Sequence, residues 1–453
     1  MREDMKFTRQ ELDKTIWRIA IPCVLENLLT FAATLVIAAM IGRLTADEIS
    51  AQSIGNRITG ILTALFKGLG VGATIVMGLY FGRNEKKACR RIAEQMMLLV
   101  AGLALALSLA AFAFPAPLLG IFTNDAAFIA MAIPYVRIAI WLVPCIAVSR
   151  ITTAAFNAQS NTRTPMVIAV AMNFINAGLG YVTIFGLNLG LKGAAVSLAV
   201  SNFLGMAMGL FALYRRGGLF DGVEREKQQR GEDLMAVIKT GLPASLENMM
   251  WSFAAIFMSR AMLTFDTTSY AGYQLASQVE EFIAAPCFGF QLAATTLVAQ
   301  CVGRQENREA QTYHKRVLFW AALVTAPLAL LLIFAPGLAM GLLTDKAGIA
   351  HIGAIYLIIA GIGFVPQALN MVDFGVLRAA GYKNLPLIAT ILGMWCIRVP
   401  VACAAAWLWH STIVVVFVGI VADCSMRWLF GLGFIAIQRH RKKSIWSEKG
   451  DPL

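Results

Sequence analysis

Between Trp17 and Ile41 the chain runs about 25 residues with Arg18, Glu26 and Asn27 as its only strongly polar side chains. Roughly 20 apolar residues suffice for a helix to cross a bilayer. Comparable runs recur near 52–81, 93–115, 130–149, 165–188, 192–214, 235–263, 270–300, 317–336, 350–377, 386–408 and 412–437, twelve in all. Inside lipid every backbone N–H and C=O must be satisfied internally, which leaves helices and closed barrels. Barrel strands alternate polar and apolar residues, and these runs do not. The chain therefore reads as an all-α integral membrane protein with twelve transmembrane helices. Its composition agrees: 58% of residues are hydrophobic and 14% charged, against about a quarter charged in soluble domains. The first run is too long for a signal-peptide core, and no small-residue cleavage site follows it, so a retained first span is expected.

The net charge of +12 does not point to nucleic acid, because the basic residues are sorted by loop. Of 38 Lys and Arg, 28 lie in or beside one set of loops, which includes "GRNEKKACRR", "GRQENREAQTYHKR" and the tail; the opposite set holds Arg43, Lys192 and Lys346. The positive-inside rule puts the basic set, and with it both termini, in the cytoplasm. The expected partners are the lipid bilayer and a small molecule, with no nucleic acid. Eight cysteines form no C-x-x-C pair and four histidines are dispersed, so no disulfide framework, metal cluster or cofactor is expected.

The polar stretch 215–234 reads as a linker, not a domain. It separates an N-terminal six-helix bundle, 1–214, from a C-terminal one, 235–437, followed by a basic tail, 438–453. Sliding the chain along itself until Pro22 meets Pro243 superposes the two bundles. "IPCVLENLL" (21–29) then falls on "LPASLENMM" (242–250), so that Glu26 and Asn27 meet Glu247 and Asn248. In the same register Gly82-Arg83-x-Glu85 meets Gly303-Arg304-x-Glu306, and Pro165 meets Pro386. An even number of spans per half leaves both halves the same way up. A pseudo-two-fold axis along the membrane normal follows, as in one type of transporter, with substrate bound near the midplane.

"TFAATLVIAAMIGRLTADEISAQSI", ending its span in Gly42-Arg43-Leu44, resembles the first-span signature of the multidrug and toxic compound extrusion (MATE) family. "FNAQSNTRTPM" (156–166), "VLRAAGYKNLP" (376–386), "GMWCIRVPVA" (393–402) and "ASQVEEFIAAPCFGFQLAATTLVAQCVGR" (276–304) resemble further segments of the same family. The resemblance implies two six-helix bundles forming a V around a central cavity. It implies secondary active efflux, in which amphipathic organic cations leave against inward H+ or Na+ by alternating access. It also implies the bacterial inner membrane, and a monomer is expected because the pathway lies within one chain. One departure stands out. Many bacterial members carry an Asp five residues before the Gly-Arg pair; here that position is Ile37.

The acids available for coupling are therefore others. A charge at the centre of a spanning helix costs about 2.5–3.5 kcal/mol on the insertion scale, so buried acids need a reason. Glu26 and Glu247, with Asn27 and Asn248 beside them, are one symmetric pair; Asp373 and Glu280 are further candidates. Each can hold a proton, a sodium ion or a cationic substrate. If the ion is sodium, Glu247 and Asp373 are the expected oxygen donors. The alternative for the glutamates is a structural hydrogen bond between helices. Asn173 and Asn176, one turn apart, either line the N-terminal cavity or join helices. Arg137 and Arg398 lie within spans, where pairing with an acid is expected; Arg398 is also a cavity-lining candidate. Pro22 and Pro243 withhold a backbone donor and clash with the carbonyls of Arg18 and Lys239. They act as hinges, unless they merely occupy first turns.

Three other readings carry less. A major-facilitator carrier also has twelve spans, but "FGRNEKKACRR" lacks that family's acidic loop pattern. A lipid or oligosaccharide flippase of the same superfamily would fit extra spans or a more cationic cavity. An enzyme would need a catalytic constellation or nucleotide loop, and none occurs.

Overall fold

The computed structural model describes residues 9–42, 45–120, 125–225, 231–408 and 412–440. Arg43 and Leu44 of the Gly-Arg-Leu turn, part of the expected linker and the tail beyond 440 lie outside the described residues. What is described is helical. The first half contains α1 (Arg9–Ile41), α2 (Ala46–Gly82), α3 (Lys86–Ala113), α4 (Pro115–Gly120), α5 (Ala126–Ala139), α6 (Leu142–Ala158), α7 (Arg163–Tyr181) and α8 (Gly190–Tyr214). The second contains α9 (Gly231–Leu263), α10 (Thr267–Ile283), α11 (Ala285–Gly303), α12 (Asn307–Phe334), α13 (Pro336–Gly341), α14 (Ala347–Ala379), α15 (Leu385–Thr390), α16 (Val399–Cys403) and α17 (Ile413–His440). Wide π-helical turns follow α7 at Val182–Gly186 and flank α16 at Ile391–Arg398 and Ala404–Leu408.

The sequence repeat is visible in the helix limits themselves. The register that lays Pro22 on Pro243 also lays α3 on α12 and α4 on α13, matching at both ends. In that register α2 corresponds to α10 plus α11, and α5 plus α6 to α14. The two interruptions have local causes. Pro286 cannot donate to the carbonyl of Phe282, and α10 ends at Ile283. Pro144 cannot donate to Ile140, and α5 ends at Ala139. In each case the proline also crowds the carbonyl four residues back.

Eleven segments among the described residues are long and apolar enough to cross a membrane. The twelfth expected span is α9, whose 33 residues reach about 50 Å at 1.5 Å each. Ser245, Glu247, Asn248, Ser252, Ser259 and Arg260 dilute its apolar character. Large side chains stand open on the outer faces, Leu98 at 70% and Phe174 at 72% exposure. Such surface suits lipid and not water.

The chain divides into two compact units, 25–248 and 1–24 with 249–453. These limits differ from the expected 1–214 and 235–437, and side-chain anchors explain why. In the unit holding residues 1–24, Trp17 packs edge-on against Phe290 and Trp320, with ring centres 5.4 and 5.3 Å apart. Asp13 receives Arg316 (Nε–Oδ1 2.9 Å) and the Trp320 indole N–H (2.8 Å). In the other unit, Asp233 near the start of α9 receives Arg91 and the Tyr80 hydroxyl. Ser245 donates to the carbonyl of Leu65 at 2.6 Å. A Cβ on Gly68 would stand 2.0 Å from the Ser245 backbone nitrogen, so the approach of α9 to α2 requires glycine there. Within their units, α6 packs against α2, α3 and α8, and its repeat equivalent α14 packs against α10, α11, α12 and α17.

Pro22 and Pro243 lie in the bodies of α1 and α9, well past their first turns. The first-turn reading is thus overturned. The division between units falls between Val24 and Leu25 in α1, and between Asn248 and Met249 in α9. Each Glu-Asn pair therefore sits where its helix passes from one unit to the other.

Candidate functional site

Two groups of charged side chains stand at membrane depth, one in each unit. In the unit of residues 25–248, Glu26 lies near the middle of α1, almost equally far from Arg9 and from Ile41. Its charged neighbour is Arg150 of α6. Arg150 in turn neighbours Lys67 of α2. None of the three forms a hydrogen bond or ion pair among the described residues, and Lys67 and Arg150 are exposed while Glu26 is half-buried. Glu26 and Lys67 are each charged neighbours of Arg150. Sequence reading assigned Arg150 to a loop; the structure has it in the body of α6.

One other expected residue of this unit serves as a joint. Asn173 donates to the Thr30 hydroxyl at 3.0 Å, linking α7 to α1. Asn176, on the same helix, is buried. Asn248 donates to the carbonyl of Ala244 in its own helix at 2.7 Å. Glu247 is half-buried on α9. Asn27 is half-buried next to Glu26. Arg137 was expected to pair with an acid. Its guanidinium instead lies 5.4 Å from the centre of the Phe112 ring, a cation–π arrangement in the last turn of α5.

The second group lies in the unit of residues 1–24 and 249–453. Asp423 of α17 is fully buried and takes two guanidiniums, Arg398 Nε and Arg427 Nε, each at 2.8 Å. Both guanidiniums also lie over the indole of Trp251, 4.9 and 5.0 Å from its centre. Arg398 ends the π-helical turn Ile391–Arg398; wide turns of this kind occur often at functional sites. A Cβ on Gly393 would come within 2.1 Å of Asp423 Oδ1, so the carboxylate reaches its partners only past a glycine. Glu280 of α10 accepts the hydroxyl of Tyr356 from α14 and also faces Arg398. Tyr273 and Phe417 stack beside Tyr356. Glu280 and Arg398 thus belong to one aromatic-walled cluster. Asp423 and Tyr356 went unnoticed in the sequence, although Asp423 stands four residues before Arg427, the spacing that puts two helical side chains on one face.

Asp373 belongs elsewhere in this unit. Its Oδ1 meets His314 Nε2 at 2.7 Å, in an open cavity of about 570 Å³ walled by His314, Lys315, Leu318 and Leu432 among others. The cavity sits within the first turns of α12 and the last turns of α14. The expected sodium donors fall in different units: Glu247 in one, and Asp373, committed to His314, in the other. Among the described residues no group of three or more His, Cys, Asp or Glu is arranged to hold a metal.

Comparison with known proteins agrees with this architecture. The MatE family description matches residues 22–182 and again 243–404, so its two copies start at the two equivalent prolines, Pro22 and Pro243. The chain is 23% identical to the probable multidrug resistance protein NorM of Thermotoga maritima, over 96% of this chain and 94% of that one. It is 22% identical to the probable multidrug resistance protein YoeA of Bacillus subtilis, over 98% and 96%. Its fold superposes on the Vibrio cholerae MATE transporter VcmN with a TM-score of 0.89 at 18% identity, covering 96% of this chain and 99% of the other. It superposes equally on a MOP superfamily transporter from Pyrococcus furiosus, described as having a binding pocket of reverse polarity that suggests a different function; there the TM-score is 0.88 at 19% identity, with 98% and 100% covered. Matched twice along its length by one family, and sharing a fold with that family's transporters, the chain belongs to the MatE family.

Proposed function

We propose that this protein is a secondary active multidrug exporter of the inner membrane, with both termini and the basic loops cytoplasmic, working as a monomer. It exchanges amphipathic organic cations for H+ or Na+ by alternating access. The observation that carries this reading is Glu26. A carboxylate half-buried in the middle of an apolar helix faces Arg150 without pairing with it. Such a group is costly to leave charged at that depth, yet it is not consumed by structure. It can be neutralised by a proton, by a sodium ion or by the ammonium of a substrate, and only one of these fits at a time. That exclusion is what antiport requires.

Glu280 is the second acid in this reading, held by Tyr356 and facing Arg398. Glu247 repeats Glu26 at the other passage between units, and Asn27 and Asn248 are the amides beside the two. Pro22 and Pro243, each withholding a main-chain donor inside a long helix, are the points where α1 and α9 bend as access alternates. Asn173, bonded to Thr30 one turn beyond Glu26, borders this region, with Asn176 on the same helix. No ATP or redox cofactor enters the scheme.

The test is efflux of a cationic dye from proteoliposomes under proton and sodium gradients imposed separately. One gradient alone drives the wild type, and Glu26→Gln loses that drive while still reconstituting. Efflux that ignores both gradients, or a Glu26→Gln protein that pumps at the wild-type rate, contradicts the proposal. Movement of labelled lipid without movement of dye favours the flippase reading.

A further inference from the structure

We propose that Lys67 and Arg150 form an anion-binding subsite beside Glu26, so that the preferred substrates are zwitterions: amphipathic cations that also bear a carboxylate. This rests on the efflux reading above and narrows it.

Packing brings the two cations together. A Cβ placed on Gly70 of α2 would stand 3.4 Å from the Cβ of Arg150, which is van der Waals contact. α6 therefore seats on α2 at the level of Arg150. Lys67 precedes Gly70 by three positions on the same helix, and residues at that spacing share a face. Both cationic side chains thus leave the same helix contact, and both are exposed. Glu26, on α1, completes the trio as the charged neighbour of Arg150.

This trio holds two cations and one carboxylate. Neither Lys67 nor Arg150 has an ion pair among the described residues. Several other acids of this unit are engaged elsewhere, while Glu247 is half-buried on α9. Glu48 caps α2, Glu94 holds Arg90 and Arg225, and Asp125 caps α5. Asp221 takes the amide of Gly217, Glu224 holds Lys87, and Asp233 holds Arg91.

Depth excludes the usual escape. Lys67 lies in the middle part of α2, about 22 Å from Gly82, the nearer helix end, at 1.5 Å rise per residue. A lysine snorkels to the interface only from near such an end. An ammonium at mid-helix faces bundle interior or water-filled space, and needs an anion there. A guanidinium and an ammonium leaving one helix contact match a carboxylate, since Arg offers a planar fork and Lys a point charge. With Glu26 beside Arg150, an ammonium and a carboxylate of one ligand find opposite charges at neighbouring positions.

The experiment uses the purified full-length chain and two xanthene dyes that differ only in a free carboxylate or its ethyl ester, a zwitterion and a cation of the same shape. Equilibrium binding is expected to favour the acid by roughly tenfold, as one charge-assisted contact allows. Lys67→Gln and Arg150→Gln each remove most of that preference, and Glu26→Gln weakens both dyes. Equal or tighter binding of the ester by the wild type, a comparison that needs no variant to fold, overturns the proposal. So does an acid preference that survives both substitutions. Gradient-driven efflux in vesicles separates the two readings. Ester pumped as fast as acid defeats the subsite and leaves the exporter. Selective binding of the acid with no efflux of either dye defeats the exporter and leaves the subsite.

Discussion

Asp423 takes both guanidiniums, yet one carboxylate neutralises only one positive charge; the face of Trp251, at 4.9 and 5.0 Å from Arg398 and Arg427, and Glu280, which faces Arg398, offset the second. Removing one partner of a buried ion pair costs about 3–5 kcal/mol, because a charge is stranded. Asp423→Asn keeps the shape and removes the charge. It is expected to lower the unfolding temperature in detergent steeply, whereas Asp423→Asn changing it no more than a surface substitution would mean that the guanidiniums find other anions. Gly393→Ala tests the same cluster by volume. The new methyl would stand 2.1 Å from Asp423 Oδ1, and overpacking of this kind costs about 1–3 kcal/mol. A melting temperature equal to wild type would show that Asp423 can retreat without loss.

Elements inherit their limits from a few such residues. α10 is capped by Asp266, whose carboxylate accepts the amide and hydroxyl of Ser269. Those bonds, the Ser269 amide first, hold the Asp266 carboxyl below the usual carboxylate range. A depressed folded pKa means stability that is present above the unfolded value, about 3.9, and lost as pH falls through the folded one. Amide exchange in the first turn of α10 should therefore be slow at neutral pH and accelerate, relative to the middle of the helix, only under strong acid. Asp266→Ala should show the fast rate at every pH, at a cost of about 1 kcal/mol; protection unchanged in that variant would contradict the cap. Much at this scale was legible beforehand. The twelve runs and the single repeat register follow from hydropathy and from rare residues in phase, which survive without knowledge of contacts. The breaks at Pro144 and Pro286 were written in the chain too, but hydropathy runs straight across both. What could not be read was which helix faces which. Arg150 looked like a loop residue because only the packing of α6 on α2 reveals its depth. The partner of Asp373 could not be read either, because nothing in the sequence joins it to the distant His314.

At the scale of the whole molecule, α1 and α9 each belong to both units, and their N-terminal portions are fastened by aspartates. Asp13 holds Arg316 and Trp320 in one unit; Asp233 holds Arg91 and Tyr80 in the other. Both fastenings lie on the N-terminal side of a proline and a Glu-Asn pair. The repeat thus explains why a greasy chain keeps the same carboxylate twice: duplication places it wherever a long helix leaves one unit for the other. If these anchors hold the helices while the proline segments bend, Asp13→Asn and Asp233→Asn should slow transport more than they weaken substrate binding. Equal losses in both would assign the aspartates to stability alone. The proposed antiport rests on substrate and coupling ion excluding one another at Glu26. The most direct measurement is the affinity of the purified protein for a fluorescent substrate, titrated across pH and, separately, across sodium concentration. Exclusion at Glu26 predicts that one of the two ions weakens binding competitively, and that Glu26→Gln abolishes that dependence. An affinity indifferent to both ions, or a competition that persists unchanged in Glu26→Gln, would contradict it.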